Sequence, residues 1–200
     1  MRDTDRFSHR HSHAHRKKRS GPSSFGMHDP NHVFNALKLK DGDTFLDMGC
    51  GPGDYALRAS EIVGDSGAVY ALDKWRQLID ALTDEAHSQG LKNLKAIVSD
   101  ITEPLPIEDK CVDVCLLATV LHTLNLAEDG TDLLSEIRRV LKPGSRLAIL
   151  NCKKEDQPFG PPLRIRWSPE EVEDLLTQHG FEKVDCVELG FNYMIQFIVK

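Results

Sequence analysis

The stretch Thr44 to Tyr55, read T-F-L-D-M-G-C-G-P-G-D-Y, constrains the fold more than any other part of the chain. It opens on an apolar run with the length of a buried parallel strand, is broken by a glycine cluster, and continues into a helix-compatible segment. Gly49, Gly51 and Gly53 alternate, so the loop can take positive φ and let a ligand lie against bare backbone. Asp47 sets a carboxylate just ahead of that loop. The spacing is G-x-G-x-G. A dinucleotide-binding loop has a third glycine where Asp54 stands, and this carboxylate would repel a pyrophosphate at the helix N-terminus. A cationic or zwitterionic nucleoside fits better, and an NAD-dependent oxidoreductase is disfavoured.

Leu46-Asp47-Met48-Gly49-Cys50-Gly51-Pro52-Gly53 resembles motif I of the class I S-adenosylmethionine (SAM) dependent methyltransferases. Leu141-Lys142-Pro143-Gly144, followed by the strand-like Arg146 to Leu150, is also similar to that family, and the resemblance covers nearly everything after residue 28. It implies a doubly wound α/β fold with a mostly parallel seven-stranded sheet in the order 3-2-1-4-5-7-6. Helices cover both faces and an antiparallel hairpin ends the chain. It implies SAM as cofactor, held by Asp47, Gly49, Cys50, Gly51, Gly53, Asp73, Lys74, Asp100, Ile101 and Ala118.

The residues themselves point the same way. Ala68 to Leu72 reads as a buried strand ending on Asp73, 20 residues beyond Gly53, the spacing at which an open βαβ unit presents an acid to a ribose. Trp75 either lies against the nucleoside or packs as a core aromatic. Leu94 to Val98 is a third strand with Asp100 at its tip. By the resemblance Asp100 accepts from the adenine amino group while Ile101 covers the ring; otherwise it is a turn aspartate bonding local backbone.

Val112 to Ala118 is a fourth, apolar strand interrupted only by Asp113. Helical spacing is read in Val33, Phe34 and Leu37 behind an Asp29 N-cap and Pro30, in Asp54 to Val63, in Arg76 to Gln89, and in Thr131 to Leu141, which Lys142-Pro143-Gly144 stops. Ser168-Pro169-Glu170-Glu171 is a capping box opening a helix that runs to His179. Glu182 to Leu189 and Tyr193 to Val199 read as a hairpin.

Transfer from a sulfonium needs little beyond holding the acceptor in line, so positioning is expected to carry most of the catalysis. A base helps a hydroxyl, thiol or carbon acid, and His122, after the fourth strand, is the candidate; its other reading is a loop anchor. Lys153, Arg164, Arg166, Trp167 and Tyr193 are candidates to line an acceptor pocket around the long polar connection Asn151 to Arg166.

The fourth strand ends Leu116-Leu117-Ala118-Thr119, without the acid or amide followed by Pro-Pro and an aromatic that amino-group methyltransferases carry there. The chain is most similar to short members typified by quinone-biosynthesis C-methyltransferases and arsenite methyltransferases. It lacks the adjacent cysteine pair that would point to arsenite. A small-molecule acceptor at O, S, C or a metalloid is therefore expected.

Two alternatives stand beside it. One is an RNA methyltransferase assisted by a basic arm; the other is a catalytically silent SAM-binding interaction protein. Residues 1–20 hold seven Lys and Arg against two Asp, so that of a net −6 the arm carries +5 and the rest −11. Residues 1–24 are read as a mobile arm and 25–200 as the methyltransferase domain. Within the arm, alternating His9, His11, His13 and His15 are either a loose metal site or a solvated tail, and no metal ligand is assigned. Five cysteines, mostly in apolar runs, and the lack of a long apolar stretch predict a reducing, cytoplasmic setting with no membrane span.

Overall fold

The computed structural model describes residue 21 and residues 23–199. The alternating histidines and the Arg16 to Arg19 run lie outside the described residues. The elements follow in the order α1 (Pro30–Leu37), β1 (Thr44–Met48), α2 (Asp54–Val63), β2 (Ala68–Asp73), α3 (Arg76–Ser88), β3 (Leu94–Val98), β4 (Val112–Ala118), α4 (Leu126–Val140), β5 (Leu141–Cys152), α5 (Pro169–Gln178), β6 (Phe181–Leu189) and β7 (Asn192–Val199).

One sheet takes all seven strands in the order β3-β2-β1-β4-β5-β7-β6. The first five are parallel and β7 runs antiparallel between β5 and β6, as expected. Burial on both faces explains why the central strands read as unbroken apolar runs. Side chains alternate across the sheet: Leu46 and Met48 join the core under α4 and α5, whereas Phe45 joins the core under α1, α2 and α3. Asp47 therefore faces the α2 side.

The interruption at Asp113 also has a cause. Its carboxylate accepts from the Thr44 amide at 2.9 Å and from Lys142 Nζ at 2.7 Å, tying the starts of three neighbouring strands together. Asp29 caps α1 through the Asn31 amide, and Ser168 and Glu171 form the reciprocal box at the start of α5.

Two boundaries differ from the sequence reading. The helix expected from Thr131 begins at Leu126: Gly130 is buried inside α4, and a glycine there costs a helix only about 1 kcal/mol. Leu141-Lys142-Pro143-Gly144 is a break in register within β5, where Val112 pairs with Leu141 and Val114 with Arg146, and Gly144 takes φ 76°.

The order reverses between β1 and β4: the chain winds outward through β2 and β3, then returns to add β4 on the other side. That leaves a crevice at the carboxyl ends of these strands, the place where open α/β sheets hold ligands. Among the described residues no helix is long and apolar enough to cross a membrane.

Candidate active site

A cavity of about 780 Å³ opens in that crevice, within the ~300–1,000 Å³ usual for small-molecule and cofactor sites. Its residues come from the ends of β1, β2, β3, β4 and β5, from the segment before α1 and from the connection between β5 and α5.

The glycine loop forms its floor. Gly49, Gly51 and Gly53 have φ of 72°, 53° and 77°, and the amides of Gly49 and Cys50 both donate to Leu72 O at 2.8 and 2.9 Å, which pins the loop to the end of β2. The reason for glycine differs from position to position. A Cβ at Gly49 would stand 2.7 Å from Val120 Cγ2, and one at Gly53 2.4 Å from Leu82 Cδ1. At these two positions side-chain packing as well as positive φ requires glycine. Gly49 and Gly51 border the cavity, whereas Gly53, Cys50 and Asp47 do not.

Asp73 is 8% exposed; its Oδ2 accepts from the Gly51 amide and its Oδ1 from the Trp75 amide, each at 2.9 Å. A carboxylate has about four acceptor positions, so roughly two remain for donors in the cavity. Asp100 accepts from the amide and hydroxyl of Thr102 at 3.1 and 2.9 Å, and these bonds hold its carboxyl below the usual carboxylate range. Lys74, Ile101, Leu78 and Ala118 complete this end. Trp75 is 62% exposed, which removes its reading as a core aromatic and leaves its ring at the cavity edge.

Asp47 plays another part. It is buried behind the loop, takes a hydrogen bond from the Ala56 amide in the first turn of α2, and leaves Oδ2 without a partner. It thus satisfies one of the four amides that a helix start leaves open. Burial, reinforced by Asp73 and Asp54, pushes its pKa up to about 7. A raised folded-state pKa means that the fold favours the protonated carboxyl. Stability from this group is then greatest in acid, falls as pH climbs from about 4 to about 7, and is flat above. Asp47→Asn imitates the protonated form, so its advantage over the wild type should widen across that window to roughly 2–4 kcal/mol at pH 8. Urea midpoints at pH 5 and pH 8 check this; an equal gap at both would refute it.

The opposite end of the cavity is built by β4, β5 and their following loops. Thr119, at φ 56°, bends the chain out of β4 while its amide donates to Leu150 O at 2.6 Å. This is the kind of strained position that clusters at active sites. His122 follows in the single turn Leu121–Thr123 and borders the cavity; burial lowers its pKa, leaving a neutral imidazole at pH 7. Leu124, Cys152, Phe159, Gly160 and Pro161 complete an apolar wall around it.

The other acceptor-side candidates do not border the cavity. Tyr193 is buried in the sheet and donates to Trp167 O at 2.8 Å, Lys153 pairs with Glu188, and Arg166 turns into its own loop; Arg164 and Trp167 also lie outside. Ser23, Ser24 and Met27, which sequence reasoning missed, roof the cavity. Ser24 Oγ and His28 Nε2 hold this segment on the Tyr55 hydroxyl at 3.1 and 3.0 Å. A polar stretch has no periodicity to announce such a contact. Among the described residues no group of three His, Cys, Asp or Glu is placed to hold a metal, and all five cysteines are free.

Residues 39–189 match the family model described as a methyltransferase domain. The chain belongs to this family, the class I SAM-dependent methyltransferases. It is 32% identical over 134 residues to a demethylmenaquinone methyltransferase of Lactobacillus johnsonii, covering 67% of this chain and 52% of that one. It is 38% identical over 112 residues to a 2-phytyl-1,4-naphtoquinone methyltransferase of Trichormus variabilis, covering 56% and 48%. The chain thus spans about half the length of these curated relatives. The crystal structure of a SAM-dependent methyltransferase from Aquifex aeolicus superposes with a TM-score of 0.81 at 33% identity, covering 90% of this chain and 94% of that one. The [4+2]-cyclase SpnF is also similar, with a TM-score of 0.67 at 25% identity over 80% of this chain and 58% of its own, so function has to be argued from the site.

The donor set fits the cofactor of this family. Asp73 and Asp100 offer carboxylates to hydroxyl and amino donors, and Ile101, Leu78 and Trp75 offer apolar surface to a flat ring.

Proposed function

We propose that this chain transfers the methyl group of SAM to a small-molecule acceptor, and that a carbon or oxygen of a reduced quinone ring is the acceptor best suited to the site. The observation that carries the reading is the continuity of one cavity from Asp73 and Asp100 at one end to His122 and the Phe159 wall at the other. The names of the relatives, quinone methyltransferases, support a planar ring, as does the apolar character of the Leu124, Phe159 and Pro161 side.

SAM supplies a sulfonium methyl that is already electrophilic. Asp73 would accept from its ribose hydroxyls and Asp100 from its adenine amine, and the bare Gly49 and Gly51 backbone would leave room for it. The wall opposite orients the acceptor in line, an effect worth up to ~7–11 kcal/mol of barrier in favourable cases. His122, neutral at pH 7, takes the proton that a ring hydroxyl or carbon loses as its bond to methyl forms. Since burial lowers its pKa, the acid limb of the rate should lie below pH 6.5 and the rate should rise with pH through it.

His122→Ala is expected to lower kcat by about 10²–10⁴-fold while S-adenosylhomocysteine binds as in the wild type. An unchanged kcat would leave positioning as the whole mechanism. The acceptor is tested by measuring S-adenosylhomocysteine release with reduced naphthoquinones, thiols, metalloid salts and RNA in parallel. Turnover with RNA alone would overturn the small-molecule reading.

A further inference from the structure

We infer that Arg166 is the positioning residue of the acceptor-facing wall: its guanidinium gathers residues 153–161 around itself and thereby sets where Phe159, Gly160 and Pro161 stand. This rests on the reading of that end of the cavity as the acceptor site. Arg166 is 6% exposed, at the end of the connection between β5 and α5. Nε donates to Pro161 O at 2.7 Å, Nη1 to Lys153 O at 3.1 Å and Glu155 O at 2.9 Å, and Nη2 to Phe159 O at 2.9 Å. Four of the five N–H groups of the guanidinium are thereby used, all on main-chain carbonyls of one short stretch.

That stretch has no helix or strand of its own from residue 153 to residue 162. Its carbonyls need partners from elsewhere, and one side chain supplies them.

The packing shows why position matters. At Gly160 the backbone takes φ 88°, and a Cβ there would lie 3.3 Å from Cys152 Sγ and 3.5 Å from Arg166 Nη2, so the chain is pressed between the end of β5 and the guanidinium. On its outer side the loop is tied to the β6–β7 turn. Gln157 Nε2 and the Lys153 amide each donate to Phe191 O at 3.0 Å, and the Phe159 ring meets the Phe191 ring edge-on with centroids 4.7 Å apart. These outer ties reach only part of the loop. The inner face that borders the cavity is organised by the guanidinium, and a lysine cannot replace it: an ammonium is a compact, strongly hydrated point donor, whereas these carbonyls meet a planar fork.

The test compares the full wild-type chain with Arg166→Lys, Arg166→Met and Phe159→Ala. Hydrogen exchange of residues 153–161 is followed by mass spectrometry, S-adenosylhomocysteine affinity by calorimetry, and methylation of 1,4-dihydroxynaphthalene by steady-state kinetics. In both Arg166 variants the loop amides are expected to exchange at least about tenfold faster, while S-adenosylhomocysteine affinity stays within about twofold. The naphthol KM should rise about tenfold or more with a smaller change in kcat, and lysine should not rescue it. Phe159→Ala should raise KM with loop exchange near the wild-type rate.

Wild-type exchange in Arg166→Met would overturn the inference, as would a loosened loop with unchanged KM. If Arg166→Met fails to fold, Arg166→Lys carries the same readings. A wild type that binds S-adenosylhomocysteine without methylating the naphthol counts against the proposed acceptor, while loop exchange still decides the role of Arg166.

Discussion

Replacing Asp73 by alanine is expected to weaken S-adenosylhomocysteine binding by about 10²–10⁴-fold, from two charge-assisted hydrogen bonds at roughly 1.5–3 kcal/mol each. The loss has two sources. The free acceptor positions of the carboxylate disappear from the cavity, and the Gly51 and Trp75 amides lose the partner that holds the glycine loop and the Trp75 loop in register. Asp73→Asn separates them. It keeps an acceptor for one amide and loses the charge, so about 10–100-fold is expected from one such bond. Calorimetric titration of the three proteins decides the matter. Equal affinity in wild type and Asp73→Ala would mean that the nucleoside does not lie against β2 and would remove the basis for the proposed function.

Gly53→Ala should give the largest loss of stability of any methyl-sized change in the motif. The residue sits at φ 77° at the N-cap of α2, and the added Cβ would meet both Leu82 methyls, at 2.4 and 2.5 Å. Left-handed backbone costs a non-glycine residue about 1–2 kcal/mol, and forcing a methyl into a filled core a further ~1–3 kcal/mol. Together that is a large part of the ~5–15 kcal/mol by which a domain is stable. Gly90→Ala is the control. Gly90 has φ 69° but nothing within 4 Å of the added atom, so it should show the backbone cost alone. The difference between the two urea midpoints, at unchanged m, reads the Leu82 collision; equal losses would show that Leu82 moves aside freely.

The elements of this fold were legible because each carries a local signal. β1 reads as a strand from Thr44 to Met48, α2 from its glycine stop, α5 from the Ser168 box, and the hairpin from the Gly190 turn. Where local signals misled, a neighbour had overruled them. The helix read from Thr131 starts at Leu126 with Gly130 inside it, and the L-K-P-G stretch, read as the stop of that helix, runs within β5 as a register break. In the site, Asp73, Asp100, Ile101 and His122 border the cavity because strand ends are places that a sequence can mark. Asp47 could not be placed in the same way, since the alternation of a strand says which side it faces but not that α2 begins there with an open amide.

The sequence by itself determined the order of strands and helices and the resemblance that orders the sheet, because apolar period, glycine placement and caps are local quantities. Only the tertiary structure decided which glycines make room for Val120 and Leu82, that Ser24 and Met27 close over the cavity, and that Arg166 faces its own loop and not the acceptor. Each of these depends on what stands opposite a residue in space, and residues 31 or more apart in the chain, such as Ser24 and Tyr55, leave no periodic trace of their meeting.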